Sequence, residues 1–307
     1  MALEKGIAQQ VEDFIAAGRP SARATHIDDR RAGYVASAVL AGETETRVQV
    51  EDIERDGMRF RMVSPLNAFG PLPAVIYYHG GCFISGEFAT HDNQLRQLAY
   101  YSGCRVIAVQ YRLAPEHTFP AAHDDAEQGA NILWKYAEQL GIDRHRITLA
   151  GDSAGGHLAL VTALRLKAAH QWQPAQLILL YPMLDATASF ETYTLNGEDY
   201  IITRDMLLSG YEMYLADTDT RHPEASPLWR EDLAGLPSTH IITAEFDPLR
   251  DEGEALYQRL TDQGVDCTCQ RYLGVIHGFF QLGGVSQAAR NVMRDVAWRI
   301  GENAVLD

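Results

Sequence analysis

Ile147-Thr148-Leu149-Ala150-Gly151-Asp152-Ser153-Ala154-Gly155 is the stretch on which the reading of this chain turns. Ile147 to Ala150 is a short apolar run that suits a buried strand, and the run from His157 through Leu166 suits a helix that is apolar on most faces. A strand that passes straight into a helix must turn sharply. Small residues at Gly151 and Gly155 let backbone segments crowd that turn, so a strained Ser153 can present its hydroxyl at the mouth of a sheet. The free amides of the helix N-terminus then point toward the same spot. Taken alone, the pentapeptide describes an ordinary strand-turn-helix with packing glycines equally well, so the weight falls on what surrounds it.

Upstream, Thr46–Glu51 and Met58–Val63 alternate apolar and polar residues around Glu54-Arg55-Asp56-Gly57, which predicts a hairpin at a sheet edge. Ala74–Tyr78, Val106–Val109, Ile147–Ala150, Leu177–Leu180 and Ile241–Ala244 are short, nearly continuous apolar runs, as parallel strands covered on both faces require. Helical stretches lie between most of them. Asp124–Leu140 is one, with Ile132, Leu133, Tyr136 and Leu140 on a stripe and Gly141 placed to end it. The alternation fails between Met183 and about Pro237, too long a segment for a simple loop. An insertion on the edge where the serine emerges reads as a cap, completed by an N-terminal amphipathic helix carrying Val11, Phe14 and Ile15. The expected division is residues 1–45 as the N-terminal part of the cap, 46–185 and 223–307 as two parts of one α/β core, and 186–222 as the cap insertion.

A serine hydroxyl is a poor nucleophile until a base takes its proton and a third group orients that base. Glu245-Phe246-Asp247-Pro248-Leu249 directly follows the strand Ile241–Ala244, and His277 follows the last expected strand, Cys267–Leu273. Both positions are carboxyl ends of strands, where open α/β sheets place their ligands. Asp251, one helical turn on, is the alternative acid. Acyl transfer also needs fixed donors for the developing oxyanion. Tyr78-His79-Gly80-Gly81-Cys82-Phe83 offers the Gly80 and Gly81 amides after a strand, and Ala154 offers another just past the serine.

Composition excludes several other classes. The chain has 307 residues, 46% hydrophobic and 22% charged, enough for a sizeable core with one domain and an attached subdomain. A net charge of −15 disfavours nucleic acid and anionic membranes as partners. No apolar stretch approaches the roughly 18 to 20 residues of a membrane span. Met1–Gly18 carries Glu4, Lys5, Glu12 and Asp13 among its apolar positions, unlike a secretory signal, so a cytoplasmic address is the default expectation. Four cysteines do not make a disulfide framework; Cys267 and Cys269 alternate on one strand without metal-ligand spacing, and no metal site is expected.

His79-Gly80-Gly81, Tyr111-Arg112-Leu113-Ala114-Pro115-Glu116, Gly151-Asp152-Ser153-Ala154-Gly155, Asp247-Pro248-Leu249 and His277-Gly278-Phe279 together resemble the hormone-sensitive-lipase-like branch of the α/β-hydrolases, and the chain is similar to bacterial acetyl esterases over nearly its whole length. The resemblance implies an α/β-hydrolase fold, a mostly parallel sheet with helices on both faces and a helical cap. It also implies a cofactor-free carboxylesterase acting on short-chain, small-molecule esters, acetyl to about hexanoyl. Ser153 is then the nucleophile, His277 the base, Asp247 its partner, and Gly80, Gly81 and Ala154 the oxyanion donors. Cys82, Phe83 and Phe279 are the expected pocket residues. Dimers are common among such relatives, so a homodimer is an open expectation. Cys82 stands where the family usually has a third glycine; its Cβ is expected to narrow the pocket, and its sulfur to make the enzyme sensitive to thiol reagents. Amide hydrolysis by the same constellation, or ligand reception on a hydrolase scaffold, are the alternatives. Such receptors tend to lose a catalytic residue, and here all three are present.

Overall fold

The computed structural model describes residues 2–303. The strands are β1 (Val48–Arg55), β2 (Met58–Pro65), β3 (Leu72–Tyr78), β4 (Arg105–Val109), β5 (Ile142–Asp152), β6 (Gln176–Leu180), β7 (Ser238–Phe246) and β8 (Cys267–Ile276). They form one sheet in the order β1-β2-β4-β3-β5-β6-β7-β8. β1 and β2 are the expected edge hairpin, closed by a two-residue turn in which Asp56 (φ 48°) and Gly57 (φ 81°) both take positive φ, as a tight turn matched to strand twist demands. β2 is antiparallel to β4, and every pairing from β4 to β8 is parallel.

β3 lies between β4 and β5, so the chain leaves β3 toward one side of the sheet and later returns on the other. That reversal opens a crevice at the carboxyl ends of β3 and β5, where ligands bind in open α/β sheets. Apolar residues alternate in register across the layers. Ala74, Ile76 and Tyr78 of β3 face the same core as α4 (Ala121–Lys135), α5 (Ala154–Ala168) and α8 (Arg250–Asp262). Val75 and Tyr77 face the opposite core, with α1 (Lys5–Ala16), α3 (Phe88–Ser102) and α9 (Gln287–Asn303).

Two expectations need correcting. The helix read as Asp124–Leu140 stops at Lys135, and turns carry the chain on to Gly141 (φ 62°) and β5. Five further helical residues would move the chain about 7 Å along the axis, away from Ile142, which pairs with Leu72. Second, α1 is seated at β8 and the start of α9, within the core that Tyr200 and Ile201 of the long segment between β6 and β7 also pack against. Glu4 N donates to Gly274 O at 2.8 Å, the Glu4 carboxylate accepts from Ser286 and Gln287, and Ile7 and Val11 are buried while Ile15 is exposed. α2 (Ile27–Ser37), with the turn before it, bonds directly to this segment. Ala22 N donates to Asp205 at 3.0 Å, Arg23 pairs with Asp205 and Glu212, and Arg30 donates to Ser209 Oγ at 3.1 Å, all on a helix spanning Arg204–Leu215, α7. A shorter helix, α6 (Thr192–Leu195), precedes α7.

The seating of α1 depends on close backbone approach, since a Cβ at Gly6 would stand 1.9 Å from Val285 O, whereas one at Gly33 in α2 meets nothing within 4 Å. Gly6→Ala is therefore expected to lower the melting temperature by roughly 3 to 10 °C. Gly33→Ala should leave it unchanged or raise it, as helix propensity favours alanine by up to about 1 kcal/mol. Paired thermal melts check the contrast.

Candidate active site

Parallel pairing brings the site's loops together. Tyr78, the last residue of β3, is in register with Gly151 of β5, so the loops after both strands leave the sheet side by side. Ser153 sits between β5 and α5 at φ 55°, ψ −119°, a conformation costing a non-glycine residue on the order of 1–3 kcal/mol. The turn is so tight that a Cβ at Gly155 would lie 1.9 Å from Tyr78 O, and one at Gly151 would lie 2.3 Å from the Gly155 carbonyl carbon. Ser153 N donates to Leu180 O at 2.8 Å, anchoring the turn to β6.

The same logic acts on the far side, where Phe246 of β7 is in register with Ile276 of β8. β8 runs three residues beyond its expected end, so His277 follows it directly, as Asp247 follows β7. His277 Nδ1 lies 2.8 Å from Asp247 Oδ2, and His277 Nε2 lies 3.0 Å from Ser153 Oγ. Because a carboxylate only accepts, Nδ1 carries the proton and Nε2 is left to accept from the serine hydroxyl. The other Asp247 oxygen accepts from Leu249 N at 2.7 Å, and Tyr181 packs edge-on against the imidazole with centroids 4.7 Å apart. Asp251 instead holds Arg250 Nε at 2.9 Å, so the alternative acid has another partner.

The loop after β3 takes positive φ through three successive residues, Gly81 (φ 124°), Cys82 (φ 54°) and Phe83 (φ 64°), and it is strained at the two that are not glycine. Its geometry corrects the expectation that Gly80 is a free oxyanion donor, because Gly80 N donates to Asp152 Oδ1 at 3.0 Å. Two of the expected pocket residues are packing residues here. Phe279 is fully buried on the α1/α9 side against Tyr181 and Tyr272, and Phe83 stacks on Tyr214 at 4.3 Å beneath α7. Cys82 keeps some surface, and its Cβ abuts Gly210 of α7, where a Cβ would come within 2.6 Å. Burial pushes its thiol up to about 11, which argues against the expected reactivity toward thiol reagents at neutral pH.

Several polar residues that sequence reasoning missed hold these parts in place. Asp152 is buried, and Tyr77 OH donates to its Oδ1 at 2.8 Å while His91 Nε2 lies 3.0 Å away. Burial alone would raise this carboxyl, but His91, Tyr77 and His79 outweigh it and hold it below its ordinary value. Its place inside the serine pentapeptide was the available signal. Glu252 is fully buried near Asp247; it accepts from Leu184 N at 2.7 Å, and burial drives its carboxyl well above the ordinary range. One turn into α5, His157 Nδ1 donates to Met183 O at 2.7 Å and its Nε2 meets His123 Nε2 at 2.8 Å. His123 Nδ1 in turn lies 2.6 Å from Tyr214 OH. Burial lowers both, His157 to about 4 and His123 well below its usual value.

The residues around this site match a family profile described as alpha/beta hydrolase fold, over residues 75–281. Among curated proteins, the chain is 38% identical over 235 residues to the carboxylic ester hydrolase LipN of Mycobacterium tuberculosis; the match covers 72% of this chain and 62% of that relative, less than two thirds of its length. It is 33% identical over 269 residues to an ethyl acetate hydrolase of Pseudomonas putida, covering 85% of each. A solved structure of a hyperthermophilic esterase from the archaeon Pyrobaculum calidifontis superimposes with a TM-score of 0.91 at 36% identity, covering 100% of both chains.

The buried neutral histidines set an acid limit. Below the unfolded value of about 6.5 the unfolded chain takes up protons that His79 and His157 (each about 4 when folded) and His123 refuse, so stability is full above that value and is lost as pH falls toward 4. Urea midpoints measured from pH 7 to 4 should fall steadily, as the unfolding free energy drops by up to about 1.4 kcal/mol per pH unit for each such group. A midpoint constant over that range would contradict their burial in neutral form.

Proposed function

The chain belongs to the hormone-sensitive-lipase-like branch of the α/β-hydrolase family and is a carboxylic ester hydrolase, and we propose that it hydrolyses short-chain acyl esters through an acyl-enzyme on Ser153. The observation that carries this reading is the continuous line of hydrogen-bond contacts from Ser153 Oγ through His277 to Asp247, at 3.0 and 2.8 Å. As Ser153 Oγ attacks the ester carbonyl carbon, its proton passes to His277 Nε2, and Asp247 stabilises the imidazolium that forms. The carbonyl π electrons move onto oxygen, where the Gly81 amide and the Ala154 amide at the first turn of α5 serve as donors. Each such donor is worth roughly 2.7 to 4 kcal/mol in the transition state. Gly80 acts indirectly, its amide tethering the donor loop to Asp152. Collapse of the adduct expels the alcohol, which takes the proton from His277. Water then repeats the sequence on the acyl-enzyme and releases the acid.

In this reading α2, α6 and α7 form the cap over the site, and Cys82 against Gly210 forms a close wall beside the donors. That wall supports a preference for acetyl to about hexanoyl groups. A nitrophenyl ester series should give its highest kcat/KM in that range and fall for longer chains. Ser153→Ala should lose about 10⁶-fold in kcat, and Asp247→Asn about 10⁴-fold with an unchanged melting temperature, because the imidazole tautomer is wrong. Wild-type turnover by Ser153→Ala would end the proposal.

Cys82→Gly suits the φ of 54° and removes the Cβ from the wall. It is expected to move the optimum toward longer acyl chains, and iodoacetamide at pH 7 should leave the wild-type rate intact. An unchanged chain-length profile would show that Cys82 does not bound the pocket.

A further inference from the structure

Arg31 lies on α2, outside both the triad and the donor loop, yet its guanidinium joins the end of the donor loop to the Ala114–Glu116 segment. Nε donates to Ile84 O at 2.8 Å, Nη2 to Ala114 O at 2.9 Å, and Nη1 and Nη2 grip the two Glu116 oxygens at 2.8 and 2.7 Å. Each acceptor belongs to, or supports, the strained loop. Ile84 N and Ser85 N both donate to Gly81 O at 3.0 Å, so Ile84 closes the turn that begins at Gly81. Ala114 N donates to Phe83 O at 2.9 Å, tying the second acceptor to the same loop. Glu116 fixes the plane of the fork through a bidentate pair. Arg30, the preceding residue, reaches the other way to Ser209 Oγ on α7. Successive arginines of α2 thus connect α7 to the donor loop.

We propose that Arg31 is a positioning residue that holds the Gly81 amide in line with the oxyanion, so that seating of the cap and alignment of the donor are one event. The proposal rests on the esterase reading above, in which Gly81 is a donor. An exposed arginine-carboxylate pair contributes little as a charge interaction; Glu116 is exposed, and the importance of the contact is geometric. Lysine can replace it only in part, because one ammonium cannot span two carbonyls and a carboxylate in fixed directions.

The test measures kcat, KM and melting temperature for wild type, Arg31→Ala, Arg31→Lys and Glu116→Gln on nitrophenyl acetate. It adds inhibition by a trifluoromethyl ketone, whose serine adduct carries an oxyanion. Arg31→Ala should lower kcat roughly 10- to 100-fold with KM within about threefold, and should weaken the ketone by the same factor. Arg31→Lys should recover part of both losses. Glu116→Gln, which leaves the carbonyl bonds in place, should show a smaller loss in the same two quantities and keeps the test decisive if Arg31→Ala does not fold. Wild-type kcat and ketone affinity with only a lower melting temperature, or a raised KM alone, would overturn the proposal. Ser153→Ala in the same series separates the two readings: if it is inactive while Arg31→Ala is normal, only the role of Arg31 falls, and if it is active the esterase reading falls with it.

Discussion

The Tyr78 carbonyl presses against the turn that carries Ser153 so closely that neither Gly151 nor Gly155 has room for a Cβ. Everything at the carboxyl edge of the sheet is arranged around that approach. It brings the end of β3 and the end of β5 to the same place, and with them the donor loop and the serine. Asp152 then locks the two together from below, accepting from Gly80 N and Tyr77 OH with one buried oxygen. A carboxylate there cannot be solvated by water, so its hydrogen bonds to the neighbouring loop are obligatory.

The site stores strain and offsets it locally. Ser153, Cys82 and Phe83 all have positive φ, each at a cost that an isolated peptide would relieve by relaxing. What prevents relaxation is packing: Phe83 stacked on Tyr214 and edge-on to His157, Cys82 against Gly210, and Ser153 N bonded to β6. The buried titratable groups follow the same economy of charge. Burial drives Glu252 up and His123 and His157 down, favouring their neutral forms. The ionised form is favoured at Asp152, where histidine and tyrosine partners surround it. Two faces of the sheet divide the labour. One core, shared with α4, α5 and α7, backs the donor loop, while the other, shared with α1, α3 and α9, backs the histidine through Phe279 and Tyr181.

Much of this was legible from residue order. The apolar runs of the central strands gave their positions because strands covered on both faces have no polar alternation to hide them. Asp247 and His277 were legible because each follows a strand end, and the paired register of β7 with β8 converts adjacency in the sheet into contact between side chains. Phe279 misled because its neighbour in sequence, His277, faces the site while a 3-10 turn rotates the phenylalanine into the core. Val11 correctly marked α1 as amphipathic, but an apolar stripe does not name its partner, and α1 went to β8 while the weakly patterned α2 went to α7.

The chain by itself determined the alternating strands and helices, the sharp turn at Ser153 and the chemical identity of the serine, imidazole and carboxylate, since these are properties of local pattern and residue type. Tertiary structure alone decided which polar groups are available and which are committed, giving Gly80 to Asp152, Arg31 to Ile84, Ala114 and Glu116, and His123 to His157. The physical reason is that a hydrogen bond between residues far apart in sequence depends on distances of a few tenths of an ångström set by packed strands, and no spacing of letters along one chain encodes that distance.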